Sequence, residues 1–169
     1  MPLDLRQIFE VPGESKDLDC SIQLDGIEIS GINPFETPVL IKGRVENRLG
    51  VVTISYTAEY KMHYLCDRCL SDEHREYKMN FEHVLLKDPD AAGASDDYIL
   101  TEGNSLDLEE LVVSDILLEL PTKLLCKEDC KGLCSGCGKN LNEGKCGCDE
   151  KTVDPRLEVL RQLLDKKDD

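Results

Sequence analysis

The chain has 169 residues, with 20 basic against 35 acidic side chains for a formal charge of -15, and 40% hydrophobic residues with only 5% aromatics and no tryptophan. Such a length admits one domain with an appendage, the acidity argues against nonspecific binding to DNA or RNA and favours basic partners, and the scarcity of aromatics limits the core to a modest aliphatic one. No stretch approaches the roughly 18 apolar residues of a membrane helix, and the start lacks a basic then apolar leader, so a cytoplasmic chain with reduced thiols and no membrane contact is expected.

In chain order, residues 21–29 supply one or two short strands, and Cys20 just before them reads as a small buried side chain. Pro34 and Pro38 mark a connection. Residues 39–46 alternate as a strand, and Asn47-Arg48-Leu49-Gly50 has the composition of a tight hairpin turn. From Val52 to Tyr64 the even positions are all apolar or aromatic (Val52, Ile54, Tyr56, Ala58, Tyr60, Met62, Tyr64) while the odd ones are Thr, Ser, Glu, Lys and His. A period of two that clean predicts a long strand with one buried face. Tyr77, Met79, Phe81, His83 and Leu85 alternate in the same way and predict a third long strand, so Cys66-Asp67-Arg68-Cys69 falls at the turn between the two.

Residues 88–93 read as a loop, and residues 97–101 can add an edge strand. A helix is predicted from Asp107, which has capping-box spacing to Glu110, through Leu108, Leu111, Val112, Ile116 and Leu120 to the stop at Pro121. Asp154-Pro155 starts a last helix with Leu157, Leu160 and Leu164 on one face, a small closing element or a partner-binding one. The expected fold is α+β: an antiparallel β meander covered by a helix (1–121), then a Cys-rich tail and terminal helix (122–169) packed on it.

Eight of the nine cysteines fall in two places, Cys66 with Cys69 and the group Cys126, Cys130, Cys134, Cys137, Cys146 and Cys148. Thiolates are soft, negative ligands that Zn²⁺ takes tetrahedrally, and two on one tight turn share an ion at little extra ordering cost. Eight thiols fill two closed four-sulfur sites. Cys134, Cys137, Cys146 and Cys148 are assigned to one, the glycines at 136, 138 and 147 letting the backbone turn around the sulfurs, and Cys126 and Cys130 reach back to Cys66 and Cys69 in the other. Other pairings, a single zinc with spare thiols, and a disulfide framework in an oxidising compartment are the competing readings.

Acid and base are segregated. Residues 88–119 hold acidic side chains and no Lys or Arg, which reads either as a solvated loop and helix face or as a docking surface for a basic protein. Residues 121–148 instead carry Lys123, Lys127, Lys131, Lys139 and Lys145 against Glu128, Asp129 and Glu143. Catalysis has little support: His63, His74 and His83 have no metal-ligand spacing among themselves, His63 falls on the polar face of its strand, and there is no Gly-rich phosphate loop or nucleophile elbow. Cys66-Asp67-Arg68-Cys69 lacks the following helix start that would activate a redox thiolate. A zinc hydrolase and a thiol redox protein remain the enzymatic and redox alternatives.

The turn Cys66-Asp67-Arg68-Cys69, the helix end Leu120-Pro121, the run Cys126-Lys127-Glu128-Asp129-Cys130-Lys131-Gly132-Leu133-Cys134, then Cys137-Gly138-Lys139-Asn140-Leu141-Asn142, Cys146-Gly147-Cys148 and Asp154-Pro155-Arg156-Leu157 together resemble the bacterial YceD family. The resemblance spans nearly the whole chain. It implies a cytosolic, non-catalytic factor needed for normal levels of 23S ribosomal RNA in large-subunit biogenesis, with relatives in plastids. Two modes of action fit: the acidic stretch binds a basic ribosomal protein or assembly factor, or the lysine-bearing tail, with Arg68 and Lys131 near the sulfurs, touches rRNA.

Overall fold

The computed structural model describes residues 1–29, 31–88 and 98–148. The expected loop from residue 89 to 93 and the terminal helix from Asp154 lie outside them.

The alternation of residues 52–64 becomes the centre of the molecule. Strand β4 (Val51–Leu65) buries every even residue from Val52 to Tyr64 on one face. It pairs antiparallel with β3 (Val39–Arg48) and with β5 (Asp72–Leu86). The turn between β3 and β4 is Leu49-Gly50, with φ of 55° and 90°, the two left-handed positions of the hairpin turn whose twist matches paired strands. Asn47 pins this turn: its side chain accepts from the Gly50 N–H at 2.9 Å and donates to the Ile8 carbonyl at 2.7 Å. Gly43 of β3 lies opposite Tyr56, where a Cβ would stand 2.2 Å from the Ser55 carbonyl oxygen.

Three features depart from the expected meander. The first strand, β2 (Ser15–Ile22), starts earlier than residue 21 and pairs along β3 from Ser15↔Glu46 to Ile22↔Val39; the chain then leaves the sheet, turning at Gly26 with φ of 89°. Cys20 lies between Leu18 and Ile22 on the core side of this edge strand and is half-buried, because the sheet ends there. The strand expected near residues 97–101 forms as β6 (Tyr98–Leu100), but it runs parallel to β5, so the five-stranded sheet, ordered β2-β3-β4-β5-β6, is mixed. A separate two-stranded ribbon joins β1 (Pro2–Asp4) to β7 (Ser105–Asp107), and the short helix α1 (Arg6–Glu10) follows β1.

Helix α2 (Leu108–Glu119) covers the buried face of the sheet. Asp107 caps it, its carboxylate accepting from the Glu109 and Glu110 N–H groups. Leu120 ends it in extended conformation, as the residue before a proline must. Leu108, Leu111, Val112 and Ile116 join the even face of β4, Val39, Ile41 and Val45 of β3, Leu85 of β5 and Leu5 and Ile8 in one core. Asp115 also points inward: Tyr56 donates a hydrogen bond to it, and His83 Nε2 lies 2.7 Å from the same oxygen. One residue of the acidic stretch is therefore a buried stitch between helix and sheet, whereas Glu102, Asp107, Glu109, Glu110 and Glu119 are exposed. Burial and the Asp115 carboxylate push the Tyr56 hydroxyl well above its ordinary pKa.

Candidate metal centres

The strand ends of the β4–β5 hairpin set up the first cluster. Beyond the last pair, Leu65↔Asp72, the Cys66 N–H donates to the Ser71 carbonyl and the Leu70 N–H to the Cys66 carbonyl, both at 2.9 Å, with Leu70 itself at φ 57°. This tight knuckle turns Cys66 and Cys69 toward the same side. The segment after α2 docks against it like an extra strand end: Asp67 N–H donates to the Leu124 carbonyl at 2.9 Å, and the Leu124 N–H returns to the Asp67 carboxylate at 2.7 Å. Arg68 donates to the Cys130 carbonyl at 2.9 Å, and Leu133 N–H donates to the Arg68 carbonyl at 3.1 Å. Gly132, at φ 74° with the Arg68 carbonyl 3.0 Å from where a Cβ would be, makes that approach sterically open.

These contacts gather Cys66, Cys69, Cys126 and Cys130, whose sulfurs all lie within 4.8 Å of one another. Cys66–Cys130 and Cys69–Cys126 sulfurs are 3.8 and 3.6 Å apart. A sulfur tetrahedron around an ion at about 2.3 Å has edges of about 3.8 Å, so the spacing fits a shared Zn²⁺; it is far beyond the ~2.05 Å of a disulfide, and all four cysteines are free. The site is buried, Cys66 fully and Cys69 and Cys130 nearly so.

Cys134, Cys137, Cys146 and Cys148 form the second group, again with all sulfurs within 4.8 Å. Its turn is built by the Cys134 N–H donating to the Lys139 carbonyl at 2.9 Å, the Gly138 N–H to the Cys134 carbonyl at 2.8 Å and the Gly136 N–H to the Cys134 sulfur at 3.4 Å. Cys137 and Cys148 are exposed, so this group is the more open to solvent. The two groups are those that the sequence spacing pairs.

In each group a thiol is pulled down and a neighbour is pushed up. Burial raises the Cys66 thiol, but N–H donors of Cys126, Arg68 and Cys69 outweigh it and bring it down to about 6. N–H groups of Cys137 and Gly136 bring Cys134 to about 6. Their neighbours move the other way: burial and the surrounding sulfurs push Cys126 up to about 12, and Cys137 and Cys134 push Cys148 up to about 12. Four thiolates this close repel one another, so all four become anionic together only with a cation between them.

Asn142 couples the groups, and sequence spacing alone does not reveal it. Its amide donates to the Cys130 sulfur at 3.3 Å, while its oxygen accepts from the Lys131 N–H at 2.9 Å. The loop of the second group thus supports a sulfur of the first. Sequence spacing also gives no sign that His63 and His74 meet, yet the sheet register places them directly opposite each other.

A family model described as large ribosomal RNA subunit accumulation protein YceD matches residues 54–164, taking in most of β4, all of β5 and all eight clustered cysteines. The chain belongs to the YceD family. A Bacillus subtilis relative, YlbN, is 27% identical over 173 residues, covering 100% of this chain and 99% of the relative. The Mycobacterium tuberculosis protein Rv2926c is 31% identical over 176 residues, 100% of this chain and 84% of the relative. A maize protein, large ribosomal RNA subunit accumulation protein YCED homolog 1, chloroplastic, is 24% identical over 182 residues, 89% of this chain and 62% of the maize protein. No solved structure matches the chain. Among the described residues, no helix of this YceD-family chain is long and apolar enough to cross a membrane.

Proposed function

We propose that this chain is a non-enzymatic, cytoplasmic zinc protein that supports 23S rRNA accumulation and large-subunit biogenesis. In this reading Cys66, Cys69, Cys126 and Cys130 hold one Zn²⁺, and Cys134, Cys137, Cys146 and Cys148 hold a second. The observation that carries it is the composition of the two clusters: each offers four sulfurs at tetrahedral spacing, which is a closed structural site with no position left for substrate or water. Zinc there supplies a cross-link. The surrounding residues do the rest, Asp67 and Arg68 tying the tail backbone to the hairpin and Asn142 tying one loop to the other.

The partner is a basic ribosomal protein or large-subunit assembly factor. Support comes from the exposed acidic residues at and along α2, Asp107, Glu109, Glu110 and Glu119, with no basic side chain in that stretch. A second reading, direct rRNA contact, is favoured by the exposed Lys127, Lys131, Lys139 and Lys145 around the clusters. Affinity capture with and without RNase separates the two. Association that survives RNase and falls on charge reversal at Glu109 and Glu110 is expected; association that vanishes with RNase and on Lys131→Glu overturns the protein-partner reading. A thiol redox role would require the metal content to change under mild oxidant, and a constant count is expected instead.

A further inference from the structure

The base of the β4–β5 hairpin holds a second kind of ligand cluster, on the face opposite the core. His63 and His74 are paired across the strands, their rings stacked with centroids 4.5 Å apart and planes 7° from parallel. Asp72, two residues before His74 and so on the same face of β5, places its Oδ1 2.7 Å from His63 Nε2 and 3.5 Å from His74 Nε2. The other ring nitrogens face Glu36: His63 Nδ1 at 3.7 Å and His74 Nδ1 at 3.5 Å from its two carboxylate oxygens. Glu36 is held there by its neighbours, since the His63 N–H donates to the Pro34 carbonyl at 2.8 Å and Phe35 bridges to Met62.

Both legs of the hairpin and the distant residue Glu36 therefore converge with their nitrogens and oxygens sorted by role. The Nε2 edges and Asp72 face one another, with one ligand atom each from His63, Asp72 and His74 mutually within 4.8 Å. Asp72 accepts a hydrogen bond from His63 Nε2 at 2.7 Å, so a cation bound there takes the place of that proton, and the Glu36 carboxylate, 3.7 and 3.5 Å from the two Nδ1 atoms, lies where it can hold the proton on the Nδ1 side once Nε2 is a ligand. Two imidazole nitrogens and a carboxylate oxygen form a donor set for borderline divalent cations, of harder character than four thiolates.

We propose that His63, His74 and Asp72 form a third metal site, which takes a divalent cation of the zinc class with its remaining positions open to water, and that Glu36 is its positioning residue. The side chains of His63 and His74 are 28% and 61% exposed, so this ion exchanges with solution, unlike one enclosed by the buried sulfurs. Its position has a structural consequence: His63 stands three residues before Cys66 and Asp72 three after Cys69, so an ion here braces both legs of the knuckle that presents those cysteines. The site does not depend on the proposed role in rRNA accumulation.

The test uses full-length protein, free of any affinity tag and already saturated with zinc at its thiols, titrated with further Zn²⁺ by calorimetry and by histidine NMR. One additional equivalent is expected, with the ring resonances of His63 and His74 shifting and those of His83, engaged with Asp115, unmoved. His74→Ala is expected to abolish this binding and Glu36→Gln to weaken it about 10-fold, with the thiol-bound zinc count and the thermal midpoint measured before the further Zn²⁺ retained as proof of folding. No additional equivalent, a shift at His83 alone, or the same affinity in a His63→Ala/His74→Ala double variant overturns the proposal; a purely ionic pairing of the histidines with Asp72 and Glu36 would give the first of these.

Discussion

Replacing Cys66 with serine tests whether the first cluster is a cross-link. Serine keeps the size but offers a neutral, hard oxygen in place of a thiolate, so three sulfurs are left and the thiol-bound zinc count should fall from two to one. The loop closed between Cys69 and Cys126 spans 57 positions. Treated as a covalent closure, it restricts the unfolded chain by about 14 cal/mol/K, or about 4 kcal/mol at room temperature. With a urea dependence of about 2 kcal/mol per molar, the unfolding midpoint should fall by about 2 M. Zinc is counted by native mass spectrometry, and trypsin should cut faster after Lys123 and Lys127, which flank the freed Cys126. Retention of both ions, loss of both together, or an unmoved urea midpoint would refute the reasoning.

Asn142→Ala removes a hydrogen bond to the Cys130 sulfur without touching a ligand; zinc release from the first cluster to a chromophoric chelator should become about 10-fold more favourable, with the second cluster holding its ion. In the unaltered protein the second cluster should yield its ion to chelator first, because Cys137 and Cys148 are exposed whereas Cys66 and Cys130 are buried, and equal release rates would contradict this. Gly43→Ala sets a Cβ 2.2 Å from the Ser55 carbonyl oxygen and should cost about 3 kcal/mol or more, visible as a fall of roughly 6–12 °C in thermal midpoint. Tyr56 has a pKa raised above its ordinary 10.0 by burial and Asp115, so its contribution to stability is complete below pH 10 and is lost as pH rises through the folded value. Urea midpoints should therefore fall on alkalinisation past pH 10, and less steeply in Tyr56→Phe, which at neutral pH is weaker by about 2 kcal/mol for the lost bond to a carboxylate.

How much of this was legible in the sequence depended on how local the signal was. Residues 52–64 announced their strand because one face is packed along its whole length, and a period of two survives only under that condition. The start of α2 was legible because Asp107 caps the N–H groups two and three residues ahead. The eight clustered cysteines were legible because a four-sulfur site needs its members in pairs on tight turns. By contrast, β1 and β7 are three residues each and meet across the whole chain, Pro2 opposite Asp107, so no local pattern marks them. The parallel entry of β6 depends on where a connection returns, which composition does not encode. Asp115 read as surface charge because a carboxylate becomes a buried acceptor only once Tyr56 and His83 face it. His63 and His74 lack ligand spacing in sequence; register supplies what spacing withholds.

The split ligand set of the first cluster has a consequence for synthesis. Cys69 leaves the ribosome 57 residues ahead of Cys126, a delay of about 3–11 s at usual elongation rates of roughly 5–20 residues per second. During that interval the β3–β4–β5 hairpins, whose partners are neighbours in the chain, can pair while Cys66 and Cys69 carry only half a coordination shell. If the cluster holds zinc as proposed, cation capture at that knuckle is a late step in maturation, and a newborn chain presents two unshared thiols to the cell until its tail arrives.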